Sequence, residues 1–203
     1  VDTAAPVITC PVDLTIACSA SSATTGTGIA TATDNCSTAP VVNYTDSVAA
    51  GSCAHESVIT RTWTATDACG NFDNCDQIIY IVDTAVPEIT APHDILVECD
   101  ESTAPANTGT AAATDNCAGA PGVTFSDNIA SGACEFDHVI TRTWTATDTC
   151  GNFANVAQTV TIVDSTPPAL ACPADVTIEC NSSTATAGTG VASATDNCDA
   201  IPS

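Results

Sequence analysis

Residues Thr60–Asn71 read TRTWTATDACGN, and residues Thr141–Asn152 read TRTWTATDTCGN, a single difference in twelve positions. Within the stretch, Arg61, Trp63 and Ala65 alternate with Thr60, Thr62 and Thr64. A period of two sends successive side chains to opposite faces, which is the pattern of a β-strand. The offset between the copies is 81 residues, and it holds outward in both directions. Val1-Asp2 returns as Val82-Asp83 and Val163-Asp164, and Asp34-Asn35-Cys36 as Asp115-Asn116-Cys117 and Asp196-Asn197-Cys198. A fixed period marks a tandem array, with repeats expected at residues 1–82, 83–163 and 164–203, the last being the N-terminal part of a third.

Each repeat is near the lower size at which one hydrophobic core suffices, and small domains of this kind need staples. Thirteen cysteines are available, six in the first repeat and four in the second. That density implies an oxidising setting, extracellular or at the cell surface. Twenty-four Asp and Glu face two Arg and no Lys, a net charge of −22. Nucleic acid is excluded as a partner because phosphate binding needs a basic face, and cations are the natural counterparts. No apolar run is long enough to span a bilayer and no signal peptide precedes Val1, so export is inferred from the cysteines and the chain reads as part of a longer array.

The rest of each repeat is short β-branched segments punctuated by Gly, Pro, Ser and Asp, with no helical period. Ile8 and Cys10, then Leu14, Ile16 and Cys18, then Ala30 and Ala32 share one parity within their segments, and Ile59, Arg61, Trp63 and Ala65 do so along Val58–Thr66. Ile79 and Ile81 are expected inward on the last strand, Gln77–Val82, which runs directly into the next repeat. Val42, Tyr44 and Asp46 alternate along a third strand, matched by Val123, Phe125 and Asp127, and one or two edge strands are expected within Ser47–Glu56. The fold class expected is all-β: tandem immunoglobulin or fibronectin type III-like sandwiches, disulfide-stapled, in an extended rod.

Cys10 and Cys75 are replaced together, by Ala91 and Val156, in the second repeat. Joint loss is what a shared bond predicts, since one survivor would be a free thiol. For the other four, strand direction in a sandwich favours Cys18 with Cys53 and Cys36 with Cys69, repeated as Cys99 with Cys134 and Cys117 with Cys150. Nearest-neighbour pairing, Cys18 with Cys36 and Cys53 with Cys69, is the competing connectivity. A structural zinc site is disfavoured because the cysteines lack close CxxC spacing.

The segments VDTAAPVITCP, TATDNC and TATDACGN, at these separations, resemble the hyalin repeat (HYR) and its bacterial surface-protein relatives across the whole chain. The resemblance implies an immunoglobulin-like extracellular module, repeated in tandem and associated with adhesion and surface assemblies. It also implies a bond between a cysteine of the first strand and one of the last, the positions of Cys10 and Cys75. The second repeat departs from that pattern, and the four further cysteines per repeat belong to the bacterial variants.

Carboxylates gather where each repeat begins. Asp2, Asp34 and Asp67 form one set, Asp83, Asp115 and Asp148 the next, and Asp164 and Asp196 begin a third, with Asn116 and Asn152 beside the second. Hard oxygen donors in this number suit calcium; the competing reading is that each Asp caps its own turn. Arg61 and Arg142, the only cations, are expected to pair with Asp46 and Asp127 and to stack on Trp63 and Trp144 as a structural feature. His55, His93 and His138 occupy unrelated positions and are read as surface residues. No nucleophile elbow, phosphate loop or recurring acid–base pair is present, so neither catalysis nor an organic cofactor is expected.

The preferred function is a structural array forming an extracellular stalk, fibre or adhesin rod, calcium-stiffened at its joints. Its partners would be neighbouring repeats or further subunits of a fibre, which would also complete the open sheet of the third repeat. The alternatives are a module that binds a surface glycan or protein, and a spacer in a secreted enzyme.

Overall fold

The structure, a computed structural model, describes residues 2–36, 39–117, 119–132 and 136–199. The first repeat contains β1 (Val7–Thr9), β2 (Leu14–Ala17), a one-turn helix α1 (Thr24–Thr27), β3 (Thr31–Thr33), β4 (Val41–Ala50), β5 (Ser57–Thr66) and β6 (Phe72–Val82). The second contains β7 (Glu88–Thr90), β8 (Ile95–Glu98), α2 (Pro105–Thr108), β9 (Ala112–Thr114), β10 (Gly122–Ser131), β11 (His138–Thr147) and β12 (Phe153–Val163). The third contributes β13 (Ala169–Ala171), α3 (Thr186–Thr189) and β14 (Ser193–Thr195).

Each complete repeat is a sandwich of a two-stranded and a four-stranded sheet, ordered β1-β3 and β2-β6-β5-β4 in the first and β7-β9 and β10-β11-β12-β8 in the second. The larger sheet is mixed, because β2 runs parallel to β6 with Leu14 opposite Ile79. Residues 176–179, which align with β2, form no strand: β2 exists by pairing with β6, and residues to 203 include no equivalent of that strand.

Alternation in β5 places Ile59, Arg61, Trp63 and Ala65 in the interior, with Ile79 from β6 and Ala30 before β3. Burying such apolar side chains contributes about 1.5–3 kcal/mol each. The equivalent core of the second repeat is Val97, Ile140 and Val160, flanked by Ile95 and Ile162. Within the first repeat the two sheets are joined by the Cys10–Cys75 disulfide, with Cα atoms 5.9 Å apart. The bond runs from just after β1 to a residue of β6 that lies opposite the buried Trp63.

Two local expectations are corrected. Ser47–Glu56 holds no separate edge strand: β4 pairs with β5 over ten residues, from Val41 opposite Thr66 to Ala50 opposite Ser57. The hairpin closes with the Gly51 N–H donating to the Glu56 carbonyl at 2.8 Å. The exposed residues beyond Asp46 carry no apolar alternation to show that β4 continues, but the backbone ladder needs no apolar partner on that side. The one-turn helices were also absent from the sequence reading, since four residues are too few to show a 3.6 period. In α1 the turn ends where the Gly28 N–H donates to the Thr24 carbonyl, and Gly28 adopts φ 94°, where a side chain would also crowd Pro11.

By contacts the chain divides into two compact units, and these are not the sequence repeats. The first comprises Val1–Ile89, Ala113–Val123 and Ala146–Ala154; the second comprises Thr90–Ala112, Thr124–Thr145 and Asn155–Ser203. Three segments of the second repeat, 83–89, 113–123 and 146–154, are therefore packed into the first compact unit.

Candidate functional site

Those three segments carry the site. The loops preceding and following the long strands are Asx turns, in which an aspartate accepts hydrogen bonds from backbone a few residues on. Asp115 Oδ1 accepts from the Cys117 N–H at 2.9 Å, and Asp148 Oδ1 accepts from the Cys150 and Asn152 N–H groups at 2.8 and 2.9 Å. Asp83 Oδ1 accepts from the Ala85 N–H at 3.2 Å. The Asn152 side-chain amide donates to Asp148 Oδ2 at 2.8 Å and to the Asp83 carbonyl at 3.1 Å, bracing one loop against the other. Asn152 thus positions carboxylates, and the Asn116 amide donates to Ser19 Oγ at 3.4 Å.

Asp83, Asp115 and Asp148 each bring an oxygen to within 4.8 Å of the others. Asp2, Asp34 and Asp67 do the same, with Asn71 in the place of Asn152: its amide donates to Asp67 Oδ2 at 2.7 Å and to the Asp2 carbonyl at 3.3 Å. Asp164 and Asp196 meet no third carboxylate among the described residues. Asp164 lies instead beside Cys99 and Cys198, and Asp83 beside Cys18 and Cys117; these sulfurs are joined in pairs and are not metal-binding thiolates.

Turn capping accounts for Oδ1 of Asp83, Asp115 and Asp148 and the Asn152 amide for Oδ2 of Asp148, which leaves the second oxygens of Asp83 and Asp115 to be explained. Asp83 is 4 % exposed, and its Oδ2, like that of Asp115, is buried without a hydrogen-bond donor. A buried carboxylate oxygen without a donor carries a desolvation cost of several kcal/mol unless a counter-charge meets it. Neither cation of the chain is at hand: Arg61 pairs with Asp46 and Arg142 with Asp127, each at 2.8 Å. The charge on Asp148 is nevertheless stabilised: burial pushes its carboxyl up, and the Asn152 amide with the surrounding N–H groups more than offsets it, leaving it below the usual carboxylate range. Asp67 is held low chiefly by the Asn71 amide. At the exposed Cys36, the Asp2 carboxylate foremost pushes the thiol upward.

The cysteine connectivity differs from that expected. Cys18 is bonded to Cys117 and Cys53 to Cys150, with Cα separations of 5.5 and 5.1 Å, and Cys99 is bonded to Cys198 at 5.9 Å. Cys18 therefore does not pair with Cys53, nor Cys117 with Cys150, and Cys36 and Cys69 are free and exposed. Cys134 lies outside the described residues, and its expected partner Cys99 is engaged elsewhere. The physical reason is position: Cys18 follows β2, its N–H bonded to the carbonyl of Val82 at the end of β6. There the chain enters the second repeat, so the loop bearing Cys117 is its neighbour. Each bond thus joins a cysteine of one repeat to a cysteine of the next.

The buried arginines complete a framework that repeats in both copies. Arg61 donates through Nε and Nη2 to the two Asp46 oxygens at 2.8 and 2.9 Å, through Nη1 to Thr27 Oγ1 at 2.7 Å, and through Nη2 to the Ser22 carbonyl at 2.9 Å. Arg142 makes the same contacts with Asp127, Thr108 and Thr103. The nearest ring is not the expected tryptophan: the guanidinium carbon sits 4.4 Å from the Tyr44 centroid and 5.9 Å from that of Trp63, as it does 4.6 Å from Phe125 and 5.9 Å from Trp144. Tyr44 faces Trp63 directly across the ladder, which puts its ring beside Arg61.

Sequence reasoning passed over Gln77 and Gln158, both fully buried. The Gln77 amide donates to the Val12 and Thr27 carbonyls at 3.1 and 2.7 Å, and its Oε1 accepts from Trp63 Nε1 at 3.4 Å; Gln158 repeats this with His93, Thr108 and Trp144. The signal was present, since both share inward parity with Ile79 and recur at the same position. His55 and His138 are half-buried and not surface residues as read; His55 lies within reach of Gly119 beside Asp115 and Asp148.

No family model matches the chain, and no curated protein matches it. Among solved structures, that of PcdhgB3 EC1-4 in 50 mM HEPES aligns at 16% identity, covering 80% of this chain and 50% of that one, with a TM-score of 0.33. The chain spans half the length of that structure, and a likeness at this level carries no argument about function. The four disulfides among the described residues mark an extracellular domain, and no helix among those residues is long and apolar enough to cross a membrane.

Proposed function

We propose that the chain is a structural repeat array of HYR-like, extracellular modules, working as a stalk or fibre whose joints are locked twice, by disulfides and by calcium. The observation that carries this reading is that Cys18 and Cys53 of one repeat are bonded to Cys117 and Cys150 of the next. Bonds within a module serve that module's stability. Bonds from module to module fix how successive repeats follow one another, which a binding loop or a catalytic cleft does not require.

Calcium follows from the carboxylates beside those bonds. Three acidic oxygens within 4.8 Å, two residues with a buried donorless Oδ2, and no spare cation call for a hard divalent ion. Asp83, Asp115 and Asp148 would hold one ion and Asp2, Asp34 and Asp67 another. Affinity in the range of extracellular modules, about 0.1–1 mM, is expected.

Electron microscopy of the oxidised protein tests the reading. Linear strings of evenly spaced beads that lose their regular spacing under reductant would support it, whereas isolated globules without periodicity in both states would end it.

A further inference from the structure

The 81-residue offset maps Cys36 onto Cys117 and Cys69 onto Cys150. In the second repeat those two cysteines are bonded to Cys18 and Cys53 of the repeat before, and in the third Cys198, equivalent to Cys36, is bonded to Cys99. Cys36 and Cys69 have no such partner and stand exposed, whereas Cys117 is 5 % exposed. Exposure here tracks the missing neighbour and not a different local fold.

The local fold is in fact the same. Cys36 N–H donates to Asp34 Oδ1 at 2.9 Å, as Cys117 does to Asp115 at 2.9 Å. Cys69 N–H donates to Asp67 Oδ1 at 2.8 Å, as Cys150 does to Asp148 at 2.8 Å. Asn71 braces the Asp2 and Asp67 loops as Asn152 braces those of Asp83 and Asp148. Everything the second repeat itself contributes to its joint is therefore already assembled in the first. What is absent is only the pair of sulfurs that Cys18 and Cys53 supply to the second.

We infer that Cys36 and Cys69 are the open half of a joint, a covalent docking face whose occupant is another repeat of this kind presenting the equivalents of Cys18 and Cys53. This rests on the array reading. Each bond forms by oxidation of two thiols, which give up two protons and two electrons to a small-molecule disulfide such as oxidised glutathione; that oxidant leaves as two thiols. One member of the complementary half is present on the same chain: Cys180, equivalent to Cys18, is also free and exposed. The occupant is a further whole repeat joined ahead of Asp2, which supplies both sulfurs; a second copy meeting Cys36 through Cys180 alone is the other outcome of the test.

Disulfide mapping separates these sources. The full chain is oxidised with glutathione alone, and in parallel as a version carrying one further copy of residues 83–163 joined ahead of Asp2; both are alkylated, digested with pepsin at acid pH and read by mass spectrometry. In the extended chain, Cys36 and Cys69 are expected to be linked to the added equivalents of Cys99 and Cys134, and to pass from fully alkylated to fully protected. A Cys36–Cys180 link between copies of the unextended chain assigns the occupant to a second molecule; a link found only in the extended chain assigns it to a preceding repeat. A Cys36–Cys69 bond, or both thiols alkylated in both samples while Cys18–Cys117 and Cys53–Cys150 are found, overturns the open joint and leaves the array standing. If Cys18–Cys117 and Cys53–Cys150 are missing too, the array reading falls with it.

Discussion

Cys53 and Cys150 lie 97 residues apart in sequence, yet their Cα atoms are 5.1 Å apart and their sulfurs are joined. With Cys18–Cys117 this makes a double covalent tie between two consecutive copies of one motif. In the chain-entropy model a closed loop of about 100 residues restricts the unfolded chain by roughly 4.7 kcal/mol, on the scale of a small domain's whole stability. Replacing both members of one tie, Cys53→Ala with Cys150→Ala, is expected to lower stability by about 2–5 kcal/mol in urea titration. The same pair changed within a single repeat's own bond, Cys10→Ala with Cys75→Val, copies what the second repeat already carries and should cost less.

Gln77 is the polar centre of the first core. Replacing it by Ala leaves the Trp63 indole N–H and the Val12 and Thr27 carbonyls without their partner, and each buried unsatisfied group costs about 1–3 kcal/mol. Gln77→Ala should lower stability by about 2–4 kcal/mol on that scale, read as a shift in thermal midpoint. A substitution at exposed Asp73 should be near neutral.

The Asp46–Arg61 pair gives the pH dependence its sign. The Arg61 guanidinium holds the Asp46 carboxyl below its usual range, so the unfolded chain binds this proton more readily than the folded one. The contribution is complete above the ordinary aspartate value of about 3.9 and is lost as pH falls through the depressed folded value. Acid titration of wild type should therefore show destabilisation setting in below about pH 4. Asp46→Asn should remove part of that slope and cost about 3–5 kcal/mol at neutral pH by stranding a buried cation.

Calcium should stabilise the chain only while its carboxylates are intact. At a concentration one hundred times the dissociation constant, a site selective for the folded state adds about 2.7 kcal/mol. Differential scanning calorimetry in calcium and in chelator is expected to show that gain in wild type and its loss, for the second site, in Asp83→Asn and Asp115→Asn. Equal midpoints in calcium and chelator for wild type would refute a cation at these triads.

Strand β5 was legible because its alternation is unbroken from Ile59 to Ala65 and recurs from Ile140 to Ala146. The Asp triads could be grouped because each aspartate recurs at one offset. The inter-repeat bonds could not be read in the same way, for a reason inherent to periodicity: Cys36 and Cys117 are the same position in successive copies. Any pairing of Cys18 with that position is equally consistent with its own repeat or the next. Only Cys10 and Cys75 escaped the ambiguity, since their joint replacement occurs inside one copy. Gln77 was missed because a polar side chain at inward parity is assumed to turn outward unless three partners are seen to receive it.

The three ties between copies overlap along the chain: 18 to 117, 53 to 150 and 99 to 198. A pulling force entering at Cys18 crosses to Cys117, backs along the segment to Cys99, and crosses again to Cys198. Even with every strand torn out, the covalent path spans only the 18 residues between Cys99 and Cys117, about 60 Å when taut. Without those sulfurs the same stretch would pay out roughly 600 Å. In the array we propose, this would make a nearly inextensible tether, one whose limit of travel is set by where cysteines fall and not by how strongly its sheets hold.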